Sequence, residues 1–464
     1  MTNNHLLIES IMTKLRTEVE QYVSGISAGE DVLDKAEERS RQFAQACGGI
    51  VFDAHIQACL AAQNYGFVGD SVSTPDGGKA NFERYEERWV LTHLGRYRIK
   101  RAYYWDPADS SGVLPLDERW DLDAREPSPS LRRSIGMLTA EVPFLRGRRL
   151  MKQVALLDLP EKRMQESGEA LGETIKQLNQ KEADAAKPML RDANVGIPEV
   201  LPEMQAGTLY IMMDGGRINT ITEGWREPKV ATLFWGEDVV EVSKERRFIL
   251  NKEYVAVLGD ADELAERLWA AACRWEWWKA ERVVVLGDGA PWIWNRASDL
   301  FPNAIQILDL YHAKEHIWDT ARQLYGGVGK QKDKGAGKSP KASSKDRRTS
   351  EWARARISEL KKGNVDAVIA NLRSRRPKRA EAAASVEALI SYLQDNKPRL
   401  KYGECKAAGL TVGSGNIESG IKNVVNQRMK GCGMRWAVDR AENMLNLRAA
   451  YLSDIGPARE LLVA

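Results

Sequence analysis

Cysteine is scarce in this sequence and has no pairing pattern. Cys47, Cys59, Cys273, Cys405 and Cys432 are odd in number, far apart and never in a CxxC spacing. That distribution argues against a disulfide framework and against a self-contained zinc finger. An excess of either charge is missing too: 68 Lys and Arg face 65 Asp and Glu, a net charge of +3. A site for a polyanion must therefore come from local basic clusters, because the bulk charge of a histone-like protein is absent. No apolar run approaches the roughly 20 residues of a membrane span. The opening stretch, MTNNHLLIESIMTKL, lacks the basic-then-apolar layout of a signal peptide. The expectation is a soluble protein of a reducing, cytoplasmic compartment, with no membrane partner.

Apolar and aromatic material is plentiful. Hydrophobic residues make up 43% of the 464, and the 14 Trp outnumber the 13 Tyr. Such a length suits two to four domains. Most of the Trp read as core, although flat rings also stack on bases.

Hydrophobic periodicity divides the chain. Residues 1–65 read as helical, with Leu6–Val23 apolar at spacings of three and four and a second short helix over Gly48–Leu60. Residues 81–104 alternate and are rich in aromatic and β-branched types, which predicts two strands turning at Leu94-Gly95. A loop follows through Asp106-Pro107-Ala108-Asp109 and Leu114–Asp117. From Ser130 to about Gln180 the pattern is helical, with Phe144–Leu156 and Pro160–Asn179 separated by a short break. Arg146, Arg148, Arg149 and Lys152 give this pair a basic face. That face fits a helix-turn-helix against phosphates, and equally an ordinary helical hairpin with solvated charges.

Five further runs read as strands: Thr208–Met213, Lys229–Trp235, Arg247–Leu250, Arg282–Leu286 and Ile305–Leu308. An amphipathic, Trp-rich helix lies over Glu263–Lys279. This order predicts an α/β core, a mixed sheet covered by helices. Residues 326–349 read as a basic surface loop, and 350–397 as helical with a second basic cluster around Arg375 and Arg376. A turn at Gly413–Asn416 opens a helix near Ile417. The expected segments are 1–125 (helical with a β-hairpin), 126–200 (helix-turn-helix-like, DNA-binding), 201–317 (first part of the core), 318–405 (helical basic insertion) and 406–464 (closing helices of the core).

Asp214 and Asp288 each follow an apolar strand and precede Gly. Two such strands side by side would bring the carboxylates close together, which is unfavourable unless a cation is shared. Oxygen ligands suit Mg²⁺ or Mn²⁺, and a pair of such ions serves phosphodiester transfer. Taken singly, each Asp-Gly also fits an ordinary turn. Glu418, near the start of the last-mentioned helix, is the candidate third acid, with Lys422, Val425 and Met429 expected on its face. Its plain alternative is a favourable interaction with the helix dipole, and Glu442 is the fallback ligand. His312, in Asp309-Leu310-Tyr311-His312, either assists at the site or bonds within the fold.

Several of these stretches match a known family in order. Asp214-Gly215-Gly216 with Gly224–Lys229, Gly287–Trp294, Asp309–His316 and Gly413–Glu418 with Lys422, Arg428, Met429 and Gly433–Trp436 resemble ISKra-type insertion-sequence transposases and the related ISLre group. The Asp-x-x-His element is also similar to one in Mutator and hAT transposases. The resemblance covers roughly residues 80–450. It implies an RNase H-like fold interrupted by the helical insertion, and an Asp-Asp-Glu triad of Asp214, Asp288 and Glu418 with His312 accessory. It also implies two Mg²⁺ or Mn²⁺ ions per site, and cleavage and strand transfer of double-stranded DNA at transposon ends. Lys422 and Arg428 join Arg146, Arg148, Arg149, Lys152, Arg375 and Arg376 as expected DNA contacts. A homodimer or larger synaptic oligomer associated with the nucleoid is expected as well. The family often carries a Cys pair after the hairpin; Asp106 and Asp109 stand there, so no zinc is expected. Two other expectations remain, a catalytically inert DNA-binding protein and an RNase H-like nuclease without strand transfer.

Overall fold

Alternation of polar and apolar residues in the N-terminal third, and unbroken apolar runs further on, produce two different sheets. The computed structural model describes residues 3–26, 33–74, 77–191, 206–243, 246–327, 343–413 and 420–463. The chain divides into two compact units, Met1–Leu171 and Gly172–Ala464, the division falling inside a long helix.

The first unit opens with α1 (Asn3–Ser24) and α2 (Leu33–Ala62). The short helix expected from Gly48 is the second half of α2. Its two glycines permit a close approach: a Cβ on Gly49 would lie 2.6 Å from the Tyr97 hydroxyl. A four-stranded antiparallel sheet follows, β1 (Ser71–Ser73), β2 (Lys79–Thr92), β3 (Gly95–Asp106) and β4 (Ser111–Val113), in that spatial order. The β2–β3 hairpin is the one the alternation predicts, closed at the Thr92↔Gly95 pair, where Gly95 has φ +128°. Next come α3 (Pro115–Arg119), α4 (Pro129–Glu141), α5 (Phe144–Ala155) and α6 (Glu161–Arg191). Leu131 and Ile135 of α4, Met151 of α5 and Met164 of α6 bury a small core with Leu91, Leu157 and Leu159. Asp117 of α3 accepts from two nearly buried guanidiniums, Arg101 and Arg88, the latter at 3.3 Å.

The second unit is built on a five-stranded mixed sheet. Its strands are β5 (Ala206–Gly215), β8 (Lys229–Trp235), β11 (Glu253–Val257), β12 (Ala280–Gly287) and β13 (Ile305–Leu308), in spatial order β11-β8-β5-β12-β13. The first three form an antiparallel meander, whereas β12 and β13 run parallel to β5. Two small ribbons are separate from it, β6 (Ile218–Thr220) with β7 (Gly224–Arg226) and β9 (Val239–Ser243) with β10 (Arg246–Ile249). The strand expected at Arg247–Leu250 is thus not in the main sheet; Glu253–Val257 holds that place. The reason is burial: every residue of β11 is buried, while Phe248 and Leu250 stay half-exposed.

Helices α7 (Ala261–Arg274) and α8 (Pro291–Leu300) make the crossovers to β12 and β13. Leu264 and Leu268 of α7 share a core with Ala231, Leu233, Val255 and Val257. Then α9 (Leu310–Tyr325), α10 (Ser344–Lys361), α11 (Val365–Arg373), α12 (Ala380–Asp395) and α13 (Tyr402–Ala407) follow, a run of helices that takes in the described part of the segment 318–405. Trp352, Leu360, Val368, Leu389 and Leu393 of these helices belong to the same hydrophobic core as the sheet. The chain closes with a π-helical turn at Ile421–Asn426, α14 (Gln427–Met429), α15 (Val438–Leu452) and α16 (Pro457–Val463). No helix of the described residues is long and apolar enough to cross a membrane.

Replacing Asp117 by Ala leaves Arg88 and Arg101 facing each other with little access to water. The expected loss is about 3–5 kcal/mol of unfolding free energy, read from urea denaturation followed by circular dichroism. An unchanged midpoint would remove this pair from the forces that hold the first unit.

Candidate active site

Parallel pairing places three aspartates in one row. Asp214 is the penultimate residue of β5, where it pairs with Val230 of β8. The parallel ladders align Leu286 with Met212 and Gly287 with Leu308. Continued past the last paired residues, two steps on the first ladder and one on the second, this register brings Asp288 level with Asp214 on one side and with Asp309 on the other. The Asp309 amide donates to the Gly287 carbonyl at 2.7 Å, which fixes that last step. Neighbouring strands are ~4.8 Å apart, so the row gathers three carboxylates at one end of the sheet. The sequence pattern singles out Asp214 and Asp288. It treats Asp309 only as the start of the His312 element, although Ile305–Leu308 ends in Asp just as the other two strands do.

The three are held differently. Asp214 and Asp288 are half-buried. Asp288 Oδ1 accepts from the Ala290 amide at 2.9 Å, a local turn that starts α8. Its backbone carbonyl accepts from the Tyr392 hydroxyl of α12 at 3.1 Å. Gly289, at φ +105°, is needed there, since a Cβ would also press on the Tyr392 ring at 3.0 Å. Asp309 is buried and caps α9, its Oδ1 accepting from the Tyr311 amide at 2.8 Å. The Tyr402 hydroxyl donates to the carbonyl of Leu308, the preceding residue, at 2.9 Å. Two tyrosines of the insertion thus anchor the backbone at two of the three strand ends, a role that the insertion's basic composition does not suggest.

His312 lies one turn along α9, with Nδ1 3.5 Å from Asp309 Oδ2. The hydrogen bond to Asp309 pushes its pKa up to about 9, with the charges of Asp309, Asp288 and Asp214 adding to the rise and burial opposing it. His316, on the next turn, stacks on Tyr392 with ring centroids 4.2 Å apart, and burial lowers its pKa. A further carboxylate lies near β5 and is not among those the sequence pattern selects. A Cβ on Gly215 would be 2.3 Å from Oε1 of Glu227, which is exposed and 3.9 Å from Lys229.

Glu418 lies outside the described residues. The chain on either side of it is close to the row. A Cβ on Gly413 would be 3.0 Å from Asp309 Oδ1, and one on Gly420 would be 2.9 Å from Val230, the cross-strand partner of Asp214. Beyond Gly420 the chain takes a π-helical turn instead of the expected α-helix. Lys422 is therefore exposed while Val425 and Met429 are buried, so the three do not share a face. Glu442, the fallback ligand, is occupied elsewhere: it pairs with Lys176 at 3.2 Å and with the buried Arg267 at 3.7 Å.

The expected DNA contacts fall into two groups. Arg146, Arg149, Arg376 and Lys422 are exposed. Arg148 and Lys152 both hold Asp158, at 2.9 and 2.8 Å, and Asp158 is kept below the usual carboxylate range by those two bonds. Arg375 donates to the Tyr325 hydroxyl at 3.0 Å and lies over the Trp352 ring. Arg428 must be corrected: it is 2% exposed, packed 5.3 Å from the Trp436 ring centroid, and burial lowers its pKa to about 10. It has no surface to offer a phosphate.

As a metal centre the row supplies only carboxylate oxygens, the donor set for Mg²⁺ or Mn²⁺. Among the described residues, however, no group of three His, Cys, Asp or Glu side chains that could hold a metal ion is found, the row included. The hydrogen bond to Asp309, helped by the charges of Asp309, Asp288 and Asp214, favours the cationic form of His312 at this end of the sheet. Neither protein-family models nor curated proteins match the sequence.

In the metal-free protein, the His312 ring is expected to titrate near 9 instead of 6.5. A raised value in the folded state means its stabilising contribution is complete below 6.5 and is lost as pH climbs through about 9. Ring-proton NMR titration reads this directly, and Asp309→Asn should return the value towards 6.5. An unshifted ring in the unmodified protein would break the link between His312 and the carboxylate row.

Proposed function

We propose that this chain is a DNA transposase of the Asp-Asp-Glu kind, cutting transposon ends and joining them to target DNA. The observation that carries this is that β5 and β12 are adjacent parallel strands, with Asp214 at the end of one and Asp288 just past the same end of the other. The spatial order of the sheet supports an RNase H-like core on the same reading: an antiparallel meander whose first strand lies beside two further parallel strands. The resemblance in motif order supports it independently.

Asp214, Asp288 and Glu418 would hold the divalent ions. When bound, such ions activate an attacking oxygen and stabilise the leaving oxygen of a phosphodiester. The chain's own part is positional. The sheet and the Tyr392 and Tyr402 hydrogen bonds keep the strand ends rigid, so the carboxylates need no rearrangement when a substrate arrives. Asp309 orients His312, whose cation offsets part of the row's negative charge. Exposed Arg146, Arg149, Arg376 and Lys422 are the residues for backbone phosphates, with a second copy of the chain expected for paired ends.

Purified protein with labelled DNA bearing the element's own ends and Mg²⁺ or Mn²⁺ is expected to nick at the end. Asp288→Asn and Glu418→Gln should each lower the rate by at least about 10²-fold with binding retained. Glu442→Gln should keep cleavage, because that carboxylate serves Lys176 and Arg267. Binding without cleavage in the unmodified protein would leave an inert DNA-binding protein; cleavage without joining would leave a nuclease. Arg149→Ala should weaken end binding on all sequences alike and reduce the salt slope of the affinity by about 1, measured by fluorescence anisotropy. A salt slope that does not move would take α5 out of the interface.

A further inference from the structure

Two buried oxygens in the first unit have no partner and face the same point. Asp106, the last residue of β3, is 2% exposed, and Thr74, just after β1, is 7% exposed. Asp106 Oδ1 accepts from the Ala108 amide at 2.9 Å, which fixes the plane of the carboxylate. Its Oδ2 and the Thr74 Oγ1 are buried and make no hydrogen bond. A Cβ built on Gly78 would lie 2.7 Å from Asp106 Oδ2, 2.8 Å from Thr74 Oγ1 and 3.8 Å from Asp109 Oδ2. The turn carrying Thr74 and Gly78 is closed by the Thr74 amide donating to the Gly78 carbonyl at 3.0 Å. Among the described residues, neither Asp106 nor Asp109 has an ion-pair partner. Two buried oxygens left without a donor at one point are costly, and a bound cation would satisfy both.

We propose that Thr74, Asp106 and Asp109 form a site for Ca²⁺, separate from the carboxylate row of the second unit. The donors are carboxylate and hydroxyl oxygens, with neither thiolate nor imidazole, which selects a hard cation over zinc. A mixed set of charged and neutral oxygens on two turns suits the flexible coordination of Ca²⁺ better than the strict octahedron of Mg²⁺. Asp109 is exposed, so water reaches that side and completes the shell. Gly78 matters because any side chain there would fill the space between the oxygens. Bound, the ion ties the β1–β2 turn to the β3–β4 turn and closes that end of the sheet.

Trp105, adjacent to Asp106 and partly exposed, provides the means to test this. Tb³⁺ added to the full-length Asp288→Asn protein, in which the row of the second unit no longer competes for the ion, should give saturable emission on tryptophan excitation, displaced by Ca²⁺. Adding Asp106→Asn or Asp109→Asn to that background should weaken the titration by at least about tenfold. Ca²⁺ should also raise the melting temperature of Asp288→Asn, but not of the variant that carries Asp109→Asn as well. Asp109 is on the surface, so that variant decides the matter even if Asp106→Asn fails to fold. Equal emission with and without Asp109→Asn, or neither emission nor a melting shift in folded Asp288→Asn, would overturn the site.

Discussion

Like charges held a strand spacing apart are the constraint on which the second unit turns. Two unit charges ~4.8 Å apart repel by about 3 kcal/mol at an effective dielectric of ~20. The register imposes that spacing twice, between Asp214 and Asp288 and between Asp288 and Asp309. The row cannot relax by strand slippage, because a one-residue shift would exchange the side chains of β5 and β12 between two faces that are both packed. What surrounds the row answers this repulsion. Asp309 is tied into the cap of α9 and holds the His312 cation beside it. Asp288 is bonded into the turn that starts α8.

The helical insertion takes its place in the same account. Its apolar residues join the core that the sheet builds, so the helices cannot be removed without exposing that core. Tyr392 and Tyr402 then reach the carbonyls of Asp288 and Leu308. Burial pushes both hydroxyls well above their ordinary range, so they remain donors at any physiological pH. The 2.9 Å and 3.1 Å bonds hold main chain and leave the carboxylates free to point elsewhere. A helical segment whose length and basic clusters suggest an added surface is thereby a support for the strand ends.

The legible parts of the sequence were those where burial is one-dimensional. Runs such as Arg282–Leu286 and Ile305–Leu308 are apolar at nearly every position because the sheet is covered on both faces, and an Asp at the end of such a run stands out. The hairpin alternation of 81–104 was equally direct. Residues 247–257 were not, since a ribbon and a core strand lie within a few residues and both are rich in aromatic and β-branched types. Arginines were hard to assign for a different reason. Guanidinium groups pack on rings as readily as they bind phosphates, and neighbours far along the chain decide between the two: Trp436 for Arg428, Trp352 and Tyr325 for Arg375. The π-helical turn is invisible to a period of 3.6, so Lys422, Val425 and Met429 were assigned one face that they do not share.

The charge layout also bears on the order of events at the site. A phosphodiester approaching Asp214, Asp288 and Asp309 meets a concentration of negative charge that one imidazolium cannot neutralise. The exposed cations of the second unit, Arg376 and Lys422, can hold the flanking backbone, but they do not alter the sign at the row itself. On the proposed reading, close approach of a phosphate would therefore require divalent cations first. His312 points the same way from within the fold: the hydrogen bond to Asp309, with the charges of Asp309, Asp288 and Asp214 adding to it, raises the pKa of its imidazole to about 9. On the proposed reading, metal loading precedes productive DNA binding, and the affinity for DNA ends rises with the metal even where no bond is cut.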